Sequence, residues 1–296
     1  MRRWRVWAPF GALATLCLLF LPALATAAEE TSDEFDPSVE FALNKYIPID
    51  LGPIDLSINK AVIYMLISAA ICVGFGLYAV RKGLQDRPRG VQNVVEMAYE
   101  FTETQIARPT LTTSTFPRYF PYIATLFLFI AVNNLISFVP LPVSHESGTF
   151  PFGIPDLSLY AATANINVTL ALTLVTFIAY NYEGVRAHGA LGYAKTLVPD
   201  APGAIKPFIA VLEILSQLLR LVSLSVRLFA NILAGHLLII MCAGFSILLG
   251  NCAGVIAIPV GVFFYIFEWV LIAGLQAFIF AMLSGIYIGF AVESSH

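Results

Sequence analysis

A run from Phe208 to Phe245 is long and apolar enough to cross a lipid bilayer, yet it carries charge at its middle. Its central stretch, Glu213 to His236, reads EILSQLLRLVSLSVRLFANILAGH. An arginine near the bilayer midplane costs about 2.5–3.5 kcal/mol on insertion scales, so it persists only where something meets its charge. At about 100° per residue, Glu213, Gln217, Arg220, Arg227 and Asn231 share one narrow stripe of such a helix. His236, nine residues past Arg227, lies on the opposite side. Gln217 and Asn231 are also residue types that hold membrane helices together, and Arg220 is placed to snorkel toward the surface. Arg227 has no such outlet, because apolar residues extend well beyond it in both directions.

Hydrophobic residues make up 58% of the 296-residue chain and charged residues 12%, a balance that points to several membrane spans. The net charge of −3 gives no basic excess, so nothing points to nucleic acid. Cys17, Cys72, Cys242 and Cys252 show neither CxxC nor metal-ligand spacing, and they sit in or beside apolar runs as small hydrophobes. There is no Walker-type glycine loop, GxSxG or HExxH. No cofactor, metal or active site of its own is therefore expected.

Residues 1–28 read as a secretory signal: Arg2, Arg3 and Arg5, an apolar core, then Ala-Leu-Ala-Thr-Ala-Ala. Cleavage near Ala27 is expected, with an uncleaved first anchor as the alternative. Residues 29–56 are an acidic exported segment, and residues 57–296 a single membrane domain. The first span, about Ser57–Val80, runs into RKGLQDRPR, whose basic density marks the cytoplasmic side. Val91 to Ala107 sets Val91, Val94, Val95, Ala98, Phe101 and Ile106 against Asn93, Glu96, Glu100 and Glu103. That is an amphipathic helix too polar to span; it lies at the membrane interface or serves as a soluble connector. Phe120–Val139 is the second span, with Asn133 and Asn134 as helix–helix glue. The loop 140–163 has no Lys or Arg and is exported, Ala164–Tyr182 is the third span, and the basic loop Glu183–Lys206 is cytoplasmic.

The fourth span, 208–245, would be about 55 Å of helix against a hydrocarbon core of about 30 Å, so it tilts or projects. Asn251 to Pro259 is expected to turn the chain into an equally long return helix, Val260–Val292, bearing Glu268, Gln276, Ser284 and Tyr287. The fold class is thus an all-α polytopic membrane protein. It has five transmembrane helices plus an interfacial amphipathic helix, the last two spans forming a long tilted hairpin. The N-terminus is exported and the C-terminus cytoplasmic. No repeat relates the halves, which weakens a secondary-transporter reading.

The residues SLSVRLFANILAGH (223–236), with LQAFIF (275–280) downstream, resemble subunit a of the F-type ATP synthase. The resemblance runs from about residue 37 to the end in span order and loop pattern. It implies an ion-conducting, non-catalytic stator facing the ring of c subunits. The implied partners are that ring, the b subunits of the peripheral stalk, the rest of the ATP synthase complex and the lipid of a bacterial inner membrane. Residue by residue, Arg227 matches the family's essential arginine and Asn231 the Asn four residues later. His236 and Gln276 match polar positions of the exported access channel. Glu213 and Ser223 match positions near the cytoplasmic access route, and Arg220 the basic position seven before the arginine. One position departs: families of this kind often place an acid or His seven residues before the Gln, where this chain has Trp269. Glu268 stands one residue earlier. A helix irregularity would bring Glu268 into line with His236; otherwise it caps water outside the conducting path. The rival reading is a proton-coupled transporter in which Arg227 and Glu213 grip an anionic substrate inside a central cavity.

Overall fold

The computed structural model describes residues 45–47, 50–51, 54–55, 57–81, 90–139, 160–196, 206–248 and 250–293. The expected signal segment, most of the acidic segment, the basic loop 82–89 and residues 140–159 lie outside the described residues. Four short strands precede the membrane region. β1 (Lys45–Ile47) pairs antiparallel with β4 (Ile58–Asn59), and β2 (Asp50–Leu51) with β3 (Ile54–Asp55). The period-3.6 reading of the chain gave no sign of these ladders, which are too short for alternation to register.

Five helices among the described residues are long and apolar enough to cross a membrane. α1 is Lys60–Arg81. α2 (Val91–Phe101) continues through a π-helical turn, Thr102–Ala107, to Thr110. It takes only part of its apolar side inward: Ile106 is fully buried, while Val94, Met97 and Phe101 stay exposed. An outward apolar face on a non-spanning helix suits the interfacial alternative better than a soluble connector. α3 is Phe116–Ile136, α4 is Ile166–His188 and α5 is the short Ala190–Thr196. Asn165 caps α4 by accepting from the Asn167 N–H at 2.9 Å.

The fourth span is α6, Lys206–Leu248, 43 residues or about 65 Å of unbroken helix. The return helix differs from the expected one in two ways. First, the turn is much tighter. α7 already begins at Gly250 and runs to Phe267 with Pro259 inside it, so residues 251–259 are helix and not a turn. The stretch before Pro259 is apolar, and in a helix without competing water the one missing N–H is tolerated. Second, the helix is interrupted. A π-helical segment, Glu268–Ile272, separates α7 from α8, Ala273–Glu293.

Lipid tails are as apolar as leucine, so close packing and interhelical hydrogen bonds hold such helices together. α8 is the central element. Its Ala281, Gly285 and Gly289, spaced by four, let the turn after α2 approach closely: a Cβ on Gly289 would stand 2.7 Å from the Thr110 carbonyl oxygen. Thr112 donates to the Glu293 carboxylate, joining the same two segments. Near the α5 end of the bundle, Arg118 and Tyr119 of α3 both donate to the Glu183 carboxylate of α4, at 2.8 and 2.9 Å. Mid-bundle, Leu126 and Ile130 of α3 pack with Leu224, Leu228 and Ile232 of α6 and Phe280 of α8.

Candidate functional site

α6 sorts its residues by face. Leu224, Leu228, Ile232 and His236 recur every four residues and are buried. Ser223, Arg227 and Asn231 are exposed on the other side. Beside them Leu219, Val222 and Val226 are exposed apolar residues. Arg227 is therefore at the midpoint of a 43-residue apolar helix, pointing away from the rest of the chain. Its side chain donates to Ser223 Oγ, one turn back, at 3.5 Å. Asn231 shares its face, but no hydrogen bond joins the two.

Toward the start of α6 lies a first polar cluster. Arg220 and Glu213 approach to 3.9 Å, a loose and partly exposed pair. The Arg220 guanidinium lies over the Tyr287 ring at 5.7 Å. Gln217 accepts from the Tyr180 hydroxyl at 2.6 Å, fixing α6 against α4. Arg220 is thus stacked on the bundle and does not snorkel as a lone side chain. An open recess of about 370 Å³ is bordered here by Ser216, Arg220, Ser223 and Tyr287. Tyr193 of α5 donates to Asn181 Oδ1 at 3.0 Å. Burial pushes its hydroxyl above the usual tyrosine range, opposed by the charge of Arg220.

A second cluster lies toward the other end, on the back of α6. His236 Nδ1 and Glu268 Oε1 are 2.8 Å apart, and both side chains are almost wholly enclosed, at 5% and 2% exposure. Oε2 of Glu268 has no hydrogen-bond partner among the described residues. The Phe138 ring covers the imidazole at a centroid distance of 5.0 Å. Gly235 leaves room for the acid: a Cβ there would overlap the Glu268 carboxyl. Gln276 is buried two turns further along the return helix, with no hydrogen bond to either member of the pair. An imidazole nitrogen thus stands at hydrogen-bond distance from a buried carboxyl group.

The irregularity that would align Glu268 is the π segment. Regular helix would put Trp269, seven residues before Gln276, where Glu268 now stands; one extra residue in the turn moves the acid into that place. Sequence reasoning left this open because a π turn has no local composition signal. It also read Asn134 as helix–helix glue. Asn134 does bridge helices, yet it does so against the backbone of Ala273, at the end of the π segment. His236 to Arg220 is 16 residues, or about 24 Å along the helix, so the two clusters are well separated with Arg227 between them.

A profile for the ATP synthase A chain matches residues 62–289. The chain belongs to that family. Among its relatives, ATP synthase subunit a of Brucella canis and that of Brucella suis are each 36% identical over 268 residues. Subunit a of Brucella ovis is 35% identical over 268 residues. Each comparison covers 88% of this chain and 99% of the relative. As a member of this family with five helices long and apolar enough to cross a membrane among its described residues, the chain is a multi-pass membrane protein.

Proposed function

We propose that this chain is the ion-conducting membrane stator of a rotary ATP synthase, offering Arg227 to a turning ring of c subunits and carrying ions to and from that ring by two half-channels. The observation that carries the reading is the outward placement of Arg227, mid-helix, on a face flanked by exposed apolar side chains. A guanidinium stays charged in any protein setting and is too costly to leave against lipid. It therefore calls for a carboxylate on a partner that also lies within the membrane. A transporter gripping its substrate internally would turn Arg227 inward, and it points the other way.

The physics of rotation follows. A ring with one acid per subunit can carry those acids through lipid only when they are neutral. Arg227 favours the ionised form of the acid that passes it and so draws off its proton on one side. It also repels any proton moving directly between the two access routes. His236, Glu268 and Gln276, with Asn231 at the ring face, form the exported half-channel. Glu213, Arg220 and Ser223, beside the open recess, form the cytoplasmic one. Because the two are offset along α6 and around the ring, an ion crosses only if the ring turns. Each crossing is worth about 2.3 kcal/mol per 100 mV, and several accumulate for each ATP. The peripheral-stalk b subunits hold the chain against this torque, and the chain sits in a bacterial inner membrane with its N-terminus exported and its C-terminus cytoplasmic.

Disulfide mapping tests the interface. Cysteine at Ser223 or at Ala230, both exposed beside Arg227, is expected to cross-link to cysteines on the acid-bearing helix of the ring. Cysteine at Ser225, which is buried, is expected to give none. Cross-linking from position 225 with none from 223 or 230 would contradict the reading.

A further inference from the structure

The C-terminal end of α3 and the turn that follows it grip the return helix on both sides of the π segment. On one side the Tyr265 hydroxyl donates to the Phe138 carbonyl at 2.8 Å, with the two rings edge to face at 5.5 Å. On the other, Asn134 Nδ2 donates to the Ala273 carbonyl at 3.1 Å. Thr163 in turn donates to Asn134 Oδ1 at 2.8 Å, which fixes which way the amide points. Asn134, Thr163 and Ala273 are each fully buried. The Ala273 peptide is also where the π turn closes, since its N–H bonds back to the Glu268 carbonyl five residues earlier. One residue, Ala273, thus has its N–H spent on the widened turn and its carbonyl held by a side chain from another helix. A side chain bonded into a helix ladder is among the few causes that keep a local irregularity in place. Buried amides are costly to leave unpaired, so the contact is strongly specified.

We propose that Asn134, oriented by Thr163, is a positioning residue that holds the π turn and thereby keeps Glu268 in register with His236. This rests on the reading of that pair as part of the exported half-channel. Asn134 touches neither member of the pair; it acts through the Ala273 peptide. The register of the helix offers a test that a merely structural role would not pass. A π turn is a helix with one residue too many. Removing one residue from it restores regular helix, with Glu268 then seven residues before Gln276 and both flanks in their former places. Val270 is the residue to remove, because its side chain is 60% exposed and contributes little to the bundle.

The experiment measures ATP-driven proton pumping by the complete complex in vesicles, with subunit content checked for each variant. Asn134→Ala is expected to lower pumping by about tenfold, and Thr163→Val, which loses only the orienting bond, by about threefold. Deletion of Val270 alone is expected to stay within about twofold of the parent complex, and to restore both substitutions to that level. Should Asn134→Ala prevent assembly, the double variant with Val270 deleted decides: assembly and pumping support the proposal, and failure overturns it. Deletion of Val270 that assembles but does not pump overturns it, as does Asn134→Ala at parental rate. His236→Ala serves as the control. If His236→Ala itself pumps at the parental rate, the channel reading falls and takes this inference with it. If His236→Ala is impaired and the Asn134 series fails as stated, only the positioning role is lost.

Discussion

Gly235 stands one residue before His236, and the space a side chain would fill there is taken by the Glu268 carboxyl. The acid reaches the imidazole because its neighbour has no Cβ. Gly235→Ala is therefore expected to displace Glu268 and lower ion-driven ATP synthesis by about tenfold or more, while helix propensity alone would make the change favourable by roughly 1 kcal/mol. Measuring synthesis rate and subunit content together separates the two effects. The His236–Glu268 contact is direct, so His236→Ala and Glu268→Ala are expected to be non-additive, with a coupling of about 0.5–3 kcal/mol in a double-mutant cycle on the synthesis rate. Strict additivity would mean that the two groups do not work as one unit. Arg227 was legible from sequence because a charge amid apolar residues carries its cost on the page. The partner of His236 was legible only as one of two alternatives, because a reading at a constant 3.6 residues per turn places Glu268 about 80° from the Gln276 face and only a helix irregularity brings it back.

At the scale of elements, the hairpin of long helices was readable from apolar length alone, and its internal defects were not. Pro259 suggested a turn, yet in a membrane helix a proline interrupts one hydrogen bond without ending the run. The π segment is invisible to composition, since its residues, Glu-Trp-Val-Leu-Ile, are unremarkable helix formers apart from the acid. The close approach of α8 to Thr110 is likewise set by tertiary packing, with the four-residue spacing of Ala281, Gly285 and Gly289 as its only sequence trace. Gly289→Val would force its side chain against the Thr110 backbone. Loss of the subunit from purified complexes is the expected outcome, at a cost of about 1–3 kcal/mol or more. Normal subunit content with Gly289→Val would show that this contact yields easily.

For the whole molecule, the proposed topology puts the basic segments 81–89 and 183–206 on the cytoplasmic side and the segment 140–163 on the exported side, from the distribution of Lys and Arg. In intact cells, a cysteine at position 145 is expected to label from outside and one at position 188 to stay protected; the reverse pattern would invert the topology. In that frame α6 has a polar cluster toward each end and the outward Arg227 between them, the layout on which the proposed stator reading rests. The sequence stripe placed Glu213, Gln217, Arg220 and Arg227 together. The tertiary structure adds that Gln217 and Arg220 are held by Tyr180 and Tyr287 on other helices, while the hydrogen bond of Arg227 goes to Ser223 of its own helix. The most direct test is therefore Arg227→Ala in the assembled complex, reconstituted in vesicles, with ATP synthesis and passive proton flux measured on the same preparation. Synthesis is expected to be abolished and passive flux to rise, because nothing then separates the two half-channels electrostatically. ATP synthesis at the parental rate by a fully assembled Arg227→Ala complex would contradict the account.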